Sequence, residues 1–551
     1  MNSFLKKRLI RYIFFSILIL SIFLRFNQLG NNPPSLDWDE ASLGYNAYAL
    51  LKTGADEYGN KFPMSIRSFD DYKPPLYAYL IVSSIAFYGL NEFGVRFPSA
   101  ILGVVAVILT YFFAKELFKS IDQKETIALC SSFFMAISPW HLQFSRAAFE
   151  GNVGLTFFLL GMLLFLKGLK KPYFLLLSGI SYVLSMYSYH SFRLIVPSVL
   201  LASSMIFYQA LWQKKFYSCI TFLSMIVLSV PIFLSIFSVS GTGARLSMVT
   251  IFSPAETLHA SINRLRLDQK RGNTIGELFH NRRVTYFLAI AKGYLDHYNP
   301  DFLFLHGDGG KQHHAVDTGM LYLFELPFII VGFVFLFQKF DRRILFFTTY
   351  FFLSPIASAI STGTPHPVRA IAMIPAFHIL TALGVVMSYY LLYRIGRFFK
   401  LGIVFFVSTL FIFNFLYYLH QYYVHTPIEY GYFWQYGNKE AVYFALESEK
   451  KYNKIIMTYG YDQPYIYYLF YGKIDPLWYQ NHWNYNGNGK LDRFKRIIGK
   501  YEFRPIQYGV DSRIPKTLLI GTPEEIPKNR KIIKEILFPD GRTAYRISSS
   551  L

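Results

Sequence analysis

Two acidic clusters and one lysine in the first hundred residues have the side chains that a group-transfer reaction needs. Asp39 and Glu40 follow the first apolar segment, and Asp70, Asp71 and Lys73 stand later in the same polar loop. A carboxylate at a membrane surface can accept a proton from an attacking hydroxyl, and a lysine can hold a phosphate as a point charge. The structural alternatives are that Asp39 caps a helix on a solvated loop and that Lys73 extends towards lipid head groups.

Composition and patterning indicate that the surrounding chain lies in a membrane. Of 551 residues, 53% are hydrophobic and only 16% are charged, whereas ordinary globular chains carry about 25% charged residues. The apolar residues form long runs, which predicts a polytopic α-helical membrane protein. Apolar segments lie near residues 10–27, 75–90, 97–115, 126–142, 151–169, 173–190, 193–211, 216–238, 318–337, 343–361, 368–391 and 401–420.

Basic residues at the ends of these segments predict the orientation. The net charge is +21, but no basic stretch forms a groove-reading motif, so we expect no nucleic-acid partner. The start of the chain, with Lys6-Lys7-Arg8, is typical of an uncleaved anchor whose N-terminus is cytoplasmic. All later basic loops become cytoplasmic if 75–90 does not cross, which gives about eleven crossings; an unrecognised crossing elsewhere would have the same effect. The basic residues concerned are Lys115, Lys119, Lys167, Lys170, Lys171, Lys214, Lys215, Arg342, Arg343, Arg394 and Arg397.

This topology predicts a multi-pass protein of the plasma membrane with two regions. Residues 1–420 form the transmembrane region, with external loops 28–74 and 240–317, and residues 430–551 form a small external α/β domain. In the first loop, 41–52 has helical spacing, with Asp39 as the expected N-cap and Gly54 as the C-cap. The external domain is expected to contain strands at 454–459 and 517–520, a helix beginning at Pro464 with Asp462 as its cap, and a hairpin over 536–545.

Further polar residues are predicted at external ends of the apolar segments, where they could contact a substrate. Each has a structural alternative as an ion pair or an interfacial anchor. Arg146 and Glu150 would be i,i+4 partners on a helix, and His190 and Arg193 share a tight turn. The remaining candidates are His306, Asp308, His366 and Arg369.

Three of these residues, His306, Asp308 and Arg369, could bind an ion. His306 and Asp308, with the nearby His313, His314 and Asp317, have the residue types that bind a divalent metal, although their spacing matches no tetrahedral signature. A substrate-contacting loop is the alternative, because six Lys and Arg residues precede them. Arg369 enters an apolar segment, where a lone arginine needs an anionic partner such as a lipid phosphate. The two cysteines, Cys130 and Cys219, lie in apolar segments and predict neither a disulfide nor a metal cluster.

Three stretches resemble a known family. Trp38-Asp39-Glu40, Tyr72–Tyr77 (YKPPLY) and Asn91–Ala100 (NEFGVRFPSA) are similar to the polyprenol-phosphate-sugar-dependent glycosyltransferases of the C superfamily. Within it, the pattern is that of the protein O-mannosyltransferase-like enzymes and the aminoarabinose transferases that modify lipid A. The resemblance covers the layout of about residues 1–420 and is specific in about the first hundred.

The resemblance implies both the fold and the roles of several residues. The fold would be an α-helical membrane bundle with a catalytic first external loop. The motif match implies that Asp39, beside Glu40, is the catalytic carboxylate. It also implies that Lys73 and Arg369 bind the phosphate of the donor. Tyr72 stands where some members have a glutamate. Asp70 or Asp71 would take the place of that glutamate, and the resemblance does not carry over any metal that the glutamate binds.

The expected function is therefore transfer of one sugar, with inversion, from a polyprenyl-phosphate donor to a protein, lipid or glycan hydroxyl on the external face. A membrane transporter or lipid-handling protein is the alternative, and it would predict inverted repeats and ionisable residues at mid-membrane. A structural surface protein is a third class. Release of free polyprenyl phosphate distinguishes the transferase from both.

Overall fold

The computed structural model describes residues 3–69, 71–237, 250–252, 255–338, 341–392, 396–482 and 496–550. The chain folds into two compact units. The first unit comprises residues 1–26, 101–145 and 149–419, and the second comprises 27–100, 146–148 and 420–551. The first loop and the C-terminal region thus share a unit, a grouping that the sequence does not reveal.

The regular elements in the described part of the first unit are helices, with one isolated bridge between Thr250 and Ser361. Three helices begin or end in the second unit, namely Glu92–Leu117, Pro139–Arg146 and Arg397–His420. The others are Ser3–Phe26, Lys124–Ile137, Glu150–Gly168, Tyr173–Ser188, Phe192–Ile206, Tyr208–Trp212, Lys215–Phe237, Ala255–Lys270, Thr274–Phe279, Arg282–Asp296, Asp301–Leu305, Glu325–Gln338, Arg342–Leu353, Ile356–Ala359, Ile371–Met373 and Ile374–Leu391.

Among the described residues, six helices are long and apolar enough to cross a membrane. They are Lys7–Phe26, Glu92–Leu117, Glu150–Gly168, Lys215–Ser235, Ile371–Leu391 and Arg397–Glu429. Shorter apolar helices are Leu76–Tyr88, Tyr173–Ser188, Phe192–Ile206 and Glu325–Gln338. Helices dominate because a backbone in hydrocarbon must satisfy its own hydrogen bonds. Each predicted apolar segment contains a helix. The segments at 126–142, 193–211 and 343–361 are interrupted, and the segment at 318–337 becomes helical only from Glu325.

Small residues and satisfied polar groups hold the helices of the first unit together. A Cβ at Gly384 would collide with the Phe328 carbonyl, so glycine permits the helices Glu325–Gln338 and Ile374–Leu391 to touch. Between them the buried Glu325 carboxylate accepts from Thr381 Oγ1 at 2.9 Å and lies 3.3 Å from His378 Nδ1.

Buried Arg25, near the end of the first helix, makes several contacts through its terminal nitrogens. Its guanidinium donates to Ser21, Met135 and Ala136 and lies 2.6 Å from His141 Nδ1. These contacts link the first helix to Lys124–Ile137 and its C-terminal neighbour.

The second unit contains all eight described strands. A hairpin of β1 (Ile66–Ser68) and β2 (Asp71–Lys73) belongs to the first loop. The C-terminal sheet has the order β4-β5-β3-β6-β8-β7. Its strands are β3 (Lys454–Met457), β4 (Arg496–Ile498), β5 (Tyr501–Phe503), β6 (Thr517–Gly521), β7 (Ile532–Leu537) and β8 (Thr543–Ser549).

The helices of the second unit are short. They are Trp38–Thr53, Leu76–Tyr88, Gln421–His425, Thr426–Glu429, Asn438–Ser448, Glu449–Lys451, Pro464–Tyr471, Pro476–His482 and Tyr508–Asp511. The predicted C-terminal α/β architecture is confirmed, with parallel β3 and β6 at its centre and the β7–β8 hairpin turning at Gly541. The prediction that Asp462 caps the helix at Pro464 is wrong, since its N-cap is Gln463, which makes no side-chain capping bond.

The helix Trp38–Thr53 packs directly on the C-terminal region. A side chain at Gly44 would collide with Phe470 and Val95, so the glycine permits close approach. Tyr45 Oη donates to the Ile474 carbonyl at 3.1 Å, and Tyr467 Oη donates to the Leu36 carbonyl at 3.2 Å. The loop helix is therefore held in place by residues more than four hundred positions away.

Candidate active site at the start of the first-loop helix

Asp37 defines the start of the loop helix. Its Oδ1 accepts from the Glu40 N–H at 2.7 Å, and its own N–H donates to Glu40 Oε2 at 3.3 Å, which completes a capping box. The prediction that Asp39 is the cap is wrong, because Asp37 has the extended backbone of an N-cap and Asp39 already lies in the first turn. Burial, with the adjacent Glu40 and Asp39 carboxylates, raises the pKa of Asp37. The predicted C-cap, Gly54, is confirmed.

Because Asp37 provides the cap, the Asp39 side chain can point elsewhere. It forms an ion pair with Lys73, with 2.8 Å between Oδ1 and Nζ. The Asp39 side chain is 50% exposed, whereas the Lys73 side chain is 4% exposed. Lys73 is positioned by β2, in which it pairs with buried Ile66 of β1. The structure thus brings together the predicted catalytic carboxylate and a predicted phosphate-binding residue.

Glu40 is turned inward and is fully engaged. Its carboxylate accepts from Arg96 Nε at 2.9 Å and from a terminal nitrogen of Arg96 at 2.8 Å. The Ala148 N–H donates to Oε1 at 2.8 Å. With the Asp37 N–H on Oε2, each oxygen has two donors. This geometry favours a positioning role for Glu40, whose part in the chemistry stays a prediction.

Arg96 is a site residue that was not singled out from the sequence. It is 0% exposed and donates to the carbonyls of Leu29, Pro33 and Ser35 in addition to Glu40. It therefore ties the helix Glu92–Leu117 to the chain that enters the loop helix. The available signal was its place near an apolar helix, where an arginine needs a partner.

Arg146 supports the same region. One helix ends at Arg146 and the next begins at Glu150, so the two residues do not have the predicted i,i+4 geometry of one helix. The Arg146 guanidinium donates to Tyr422 Oη at 2.9 Å and to the carbonyls of Asn27 and Asn32. It is buried and lies over the Tyr422 ring.

The other loop carboxylates are less informative. Asp71 is half-buried in β2, and its Oδ1 accepts from the N–H of Tyr72 at 2.7 Å. Asp70 lies outside the described residues. The predicted helix over 41–52 is confirmed as Trp38–Thr53.

The histidines of the second external loop form separate pairs in the first unit. His306 Nδ1 lies 2.6 Å from Asp301 Oδ1, and His313 Nδ1 lies 2.8 Å from Asp308 Oδ2. In the part of the chain that the structure describes, no three His, Cys, Asp or Glu side chains lie together as metal ligands. The donor set that a divalent metal needs is therefore not formed by these residues, and part of the predicted loop 240–317 lies outside the described residues.

His297 organises the chain around His366, and it was not predicted from the sequence. Its Nδ1–H donates to the Gly293 carbonyl at 2.7 Å, while Nε2 accepts from the His366 N–H at 3.1 Å. Ser358 Oγ lies 2.6 Å from the same Nε2. Burial lowers the pKa of His297 to about 4, which favours this neutral, accepting form.

Arg369 and the 190–193 turn complete the predicted residues. Arg369 donates to Ser361 Oγ at 2.8 Å and to the Thr362 carbonyl at 2.7 Å, so the preceding turn holds it. The turn between Tyr173–Ser188 and Phe192–Ile206 contains His190, and the Nε of Arg193 donates to the Met186 carbonyl.

Comparisons with known proteins identify similar sequences and folds. The family model of dolichyl-phosphate-mannose-protein mannosyltransferases matches residues 72–238. An uncharacterised protein of Aquifex aeolicus is 28% identical over 149 residues, which are 26% of this chain and 27% of that protein.

Two solved structures share the fold. One is the archaeal oligosaccharyltransferase AglB from Archaeoglobus fulgidus, in complex with an inhibitory peptide and a dolichol-phosphate. The match has a TM-score of 0.53 and 14% sequence identity, and it covers 85% of this chain and 64% of that chain. The other is ArnT from Cupriavidus metallidurans bound to undecaprenyl phosphate. The match has a TM-score of 0.52 and 11% sequence identity, and it covers 99% of this chain and 98% of that chain.

At these identities the structural likeness shows the fold alone. This chain spans less than two thirds of the oligosaccharyltransferase but nearly all of ArnT. With the family match, the likeness confirms the predicted resemblance to C-superfamily glycosyltransferases and the predicted polytopic helical fold with a C-terminal sheet domain.

Proposed function

We propose that this protein transfers a sugar from a polyprenyl-phosphate donor to an acceptor hydroxyl on the external face of the membrane. The observation that carries the proposal is the contact between half-exposed Asp39 and nearly buried Lys73. The donor class is supported by the dolichol-phosphate and undecaprenyl phosphate bound in the two structural relatives. Sugar transfer by the purified protein from a synthetic polyprenyl-phosphate donor tests it, and activity only with nucleotide sugars would contradict it.

In the proposed reaction, Asp39 accepts the proton of the acceptor hydroxyl while the acceptor oxygen bonds to the anomeric carbon. The bond from that carbon to the phosphate oxygen breaks, and the lipid phosphate leaves with the electron pair. Attack from the face opposite the leaving group inverts the anomeric centre. Lys73 stabilises the negative charge that develops on the phosphate, where a cation near low-dielectric lipid is most effective.

The ion pair between Asp39 and Lys73 links donor binding to the activity of the base. A donor phosphate that takes Lys73 as its partner would break this ion pair. The half-exposed Asp39 carboxylate would then be available for the acceptor hydroxyl, so that donor binding prepares the site for transfer.

Removing the donor's cationic partners should weaken donor use. We expect Lys73→Met and Arg369→Ala each to weaken donor binding by about 1–3 kcal/mol, the value of a charge-assisted hydrogen bond. Lys73→Met keeps most of the buried side-chain volume. Binding of a polyprenyl phosphate, measured by titration of the purified variants, checks this expectation.

Lys52→Met is the matched control for Lys73. Lys52 lies on the loop helix Trp38–Thr53, is exposed and contacts the Tyr48 ring. Loss of its charge should therefore leave donor binding unchanged. Wild-type donor affinity in both the Lys73 and Arg369 variants would remove the phosphate assignment.

The proposed topology has a cytoplasmic N-terminus and an external C-terminal region, as the basic loops predict. Asn453→Cys introduces an exposed thiol before β3, in a background where Cys130 and Cys219 are replaced by serine. We expect a membrane-impermeant thiol reagent to label this cysteine in intact cells. Lys215→Cys, at an exposed and predicted cytoplasmic position, should be labelled only after lysis, and the opposite pattern would reverse the topology.

A further inference from the structure

A cluster of basic residues lies in the first unit, on the side that the sequence predicts to be cytoplasmic. It surrounds a cavity of about 350 Å³ lined by Lys119, Ser120, Phe207, Asp341, Arg342 and Arg343. Lys119 follows the candidate span Glu92–Leu117, and Arg342 and Arg343 begin the helix Arg342–Leu353. The cavity is therefore at the end of the helices, where a membrane meets water.

A further cation approaches from another connection. Lys170 follows the candidate span Glu150–Gly168 and is exposed. The neighbouring Lys119, and more weakly Arg343, lower the pKa of Lys170. Two separate connections bring Lys119, Arg342 and Arg343 to the cavity lining, and Lys170 of a third connection is a neighbour of Lys119. Mutual repulsion among these cations favours an anion between them.

The carboxylates nearby are already engaged in structural contacts. Glu116 Oε1 lies 3.0 Å from Arg343 and 3.5 Å from Lys119 Nζ. Asp341 Oδ1 caps the helix by accepting from the N–H groups of Arg343 and Ile344, and its Oδ2 accepts from Ser120. These two carboxylates cannot neutralise four cations.

Arg342 has the clearest spare capacity for a ligand. Its guanidinium donates to the neutral amide oxygen of Gln209 at 2.8 Å, so the charge has no carboxylate partner in that contact. Phe207 adds an apolar wall to the same cavity. Cations beside an apolar wall at a helix end fit a phosphate group attached to an acyl chain.

We propose that this cavity binds the phosphate head group of an anionic membrane lipid, with Lys119 and Arg342 as its cationic contacts and Lys170 adding positive charge beside Lys119. Neither Lys73 nor Arg369, the proposed donor-phosphate residues, belongs to the lining of this cavity. Orientation by basic residues requires only that they be on one side of the membrane. It does not require them to converge on one cavity, and that convergence is what the lipid site explains.

Thermal melting in an uncharged detergent tests this proposal on the full chain. We expect added phosphatidylglycerol to raise the melting midpoint of the wild type, since a ligand that binds only the folded state stabilises it. Phosphatidylcholine should have a smaller effect, because its quaternary ammonium would meet the cluster. The triple variant Lys119→Gln, Lys170→Gln, Arg342→Gln should lose the response and bind the lipid at least about tenfold more weakly by native mass spectrometry.

The control triple variant Lys214→Gln, Lys215→Gln, Lys400→Gln removes the same charge from residues outside the cavity lining, and should respond as the wild type does. An equal shift with inorganic phosphate alone would make the ligand a soluble phosphate at the same site. Equal responses in the two triple variants, or no preference for phosphatidylglycerol over phosphatidylcholine, would overturn the site. If the first triple variant does not fold, the single exposed-residue variant Lys170→Gln gives the same comparison by native mass spectrometry.

Discussion

Asp39→Asn is expected to lower the rate of sugar transfer by a factor of about 100–10,000, the usual contribution of a positioned general base. The change keeps the side-chain size and removes only the charge and the proton acceptor. Because Asp37 is the N-cap, the helix loses no capping bond. Lys73 would also lose its carboxylate partner, so polyprenyl phosphate should bind at least as tightly as it does to the wild type. Initial rates and donor titrations with purified protein measure both effects.

Glu429→Gln provides the matched control, because it neutralises a half-exposed carboxylate of the same unit that is paired with His425. It should keep both rate and donor affinity. If Asp39→Asn lowered the rate by less than about threefold, this loss would be far smaller than the contribution of a general base. The role would then pass to Asp71 or Asp70, since the oxygens of Glu40 are already occupied.

Glu40→Ala is expected to destabilise the protein by about 3–5 kcal/mol, the usual cost of removing one partner of a buried ion pair. The change leaves the Arg96 guanidinium buried with backbone carbonyls alone and removes the acceptor of the Ala148 N–H. We expect a much lower melting midpoint, and loss of activity that follows the loss of folded protein. Unfolding followed by tryptophan fluorescence in detergent measures the change.

Glu440→Ala is the control for this effect. Its ion pair with Lys534 is 2.7 Å long but exposed, so its removal should change stability by at most about 1 kcal/mol. If Glu40→Ala melted like the wild type yet had no transfer activity, Glu40 would act in the chemistry and the positioning role would be wrong.

The sequence predicts local features of this site well. Helical spacing and Gly54 locate the loop helix, and the apolar runs locate the candidate spans to within a few residues. The choice of cap was wrong because Asp37 and Asp39 are both good capping residues. Only the backbone angles at the helix start distinguish them.

Contacts between distant segments could not be predicted from local patterns. Arg96 meets Glu40 because a span and the first loop pack together, and Arg146 meets Tyr422 across the length of the chain. The predicted i,i+4 placement of Arg146 and Glu150 on one helix is wrong because one helix ends at Arg146 and the next begins at Glu150, which spacing alone does not reveal. Asp39 and Lys73 were predicted by role, and the contact between them comes from the register of the β1–β2 hairpin.

The most direct test of the proposed chemistry is the stoichiometry of lipid phosphate release. Purified wild-type protein is incubated with a synthetic polyprenyl-phosphate sugar and an acceptor mixture from the cell envelope, and both products are quantified by mass spectrometry. We expect one free polyprenyl phosphate for each sugar transferred, with both products lost together in Asp39→Asn. Sugar transfer without release of polyprenyl phosphate, or release that Asp39→Asn leaves unchanged, would contradict the proposal.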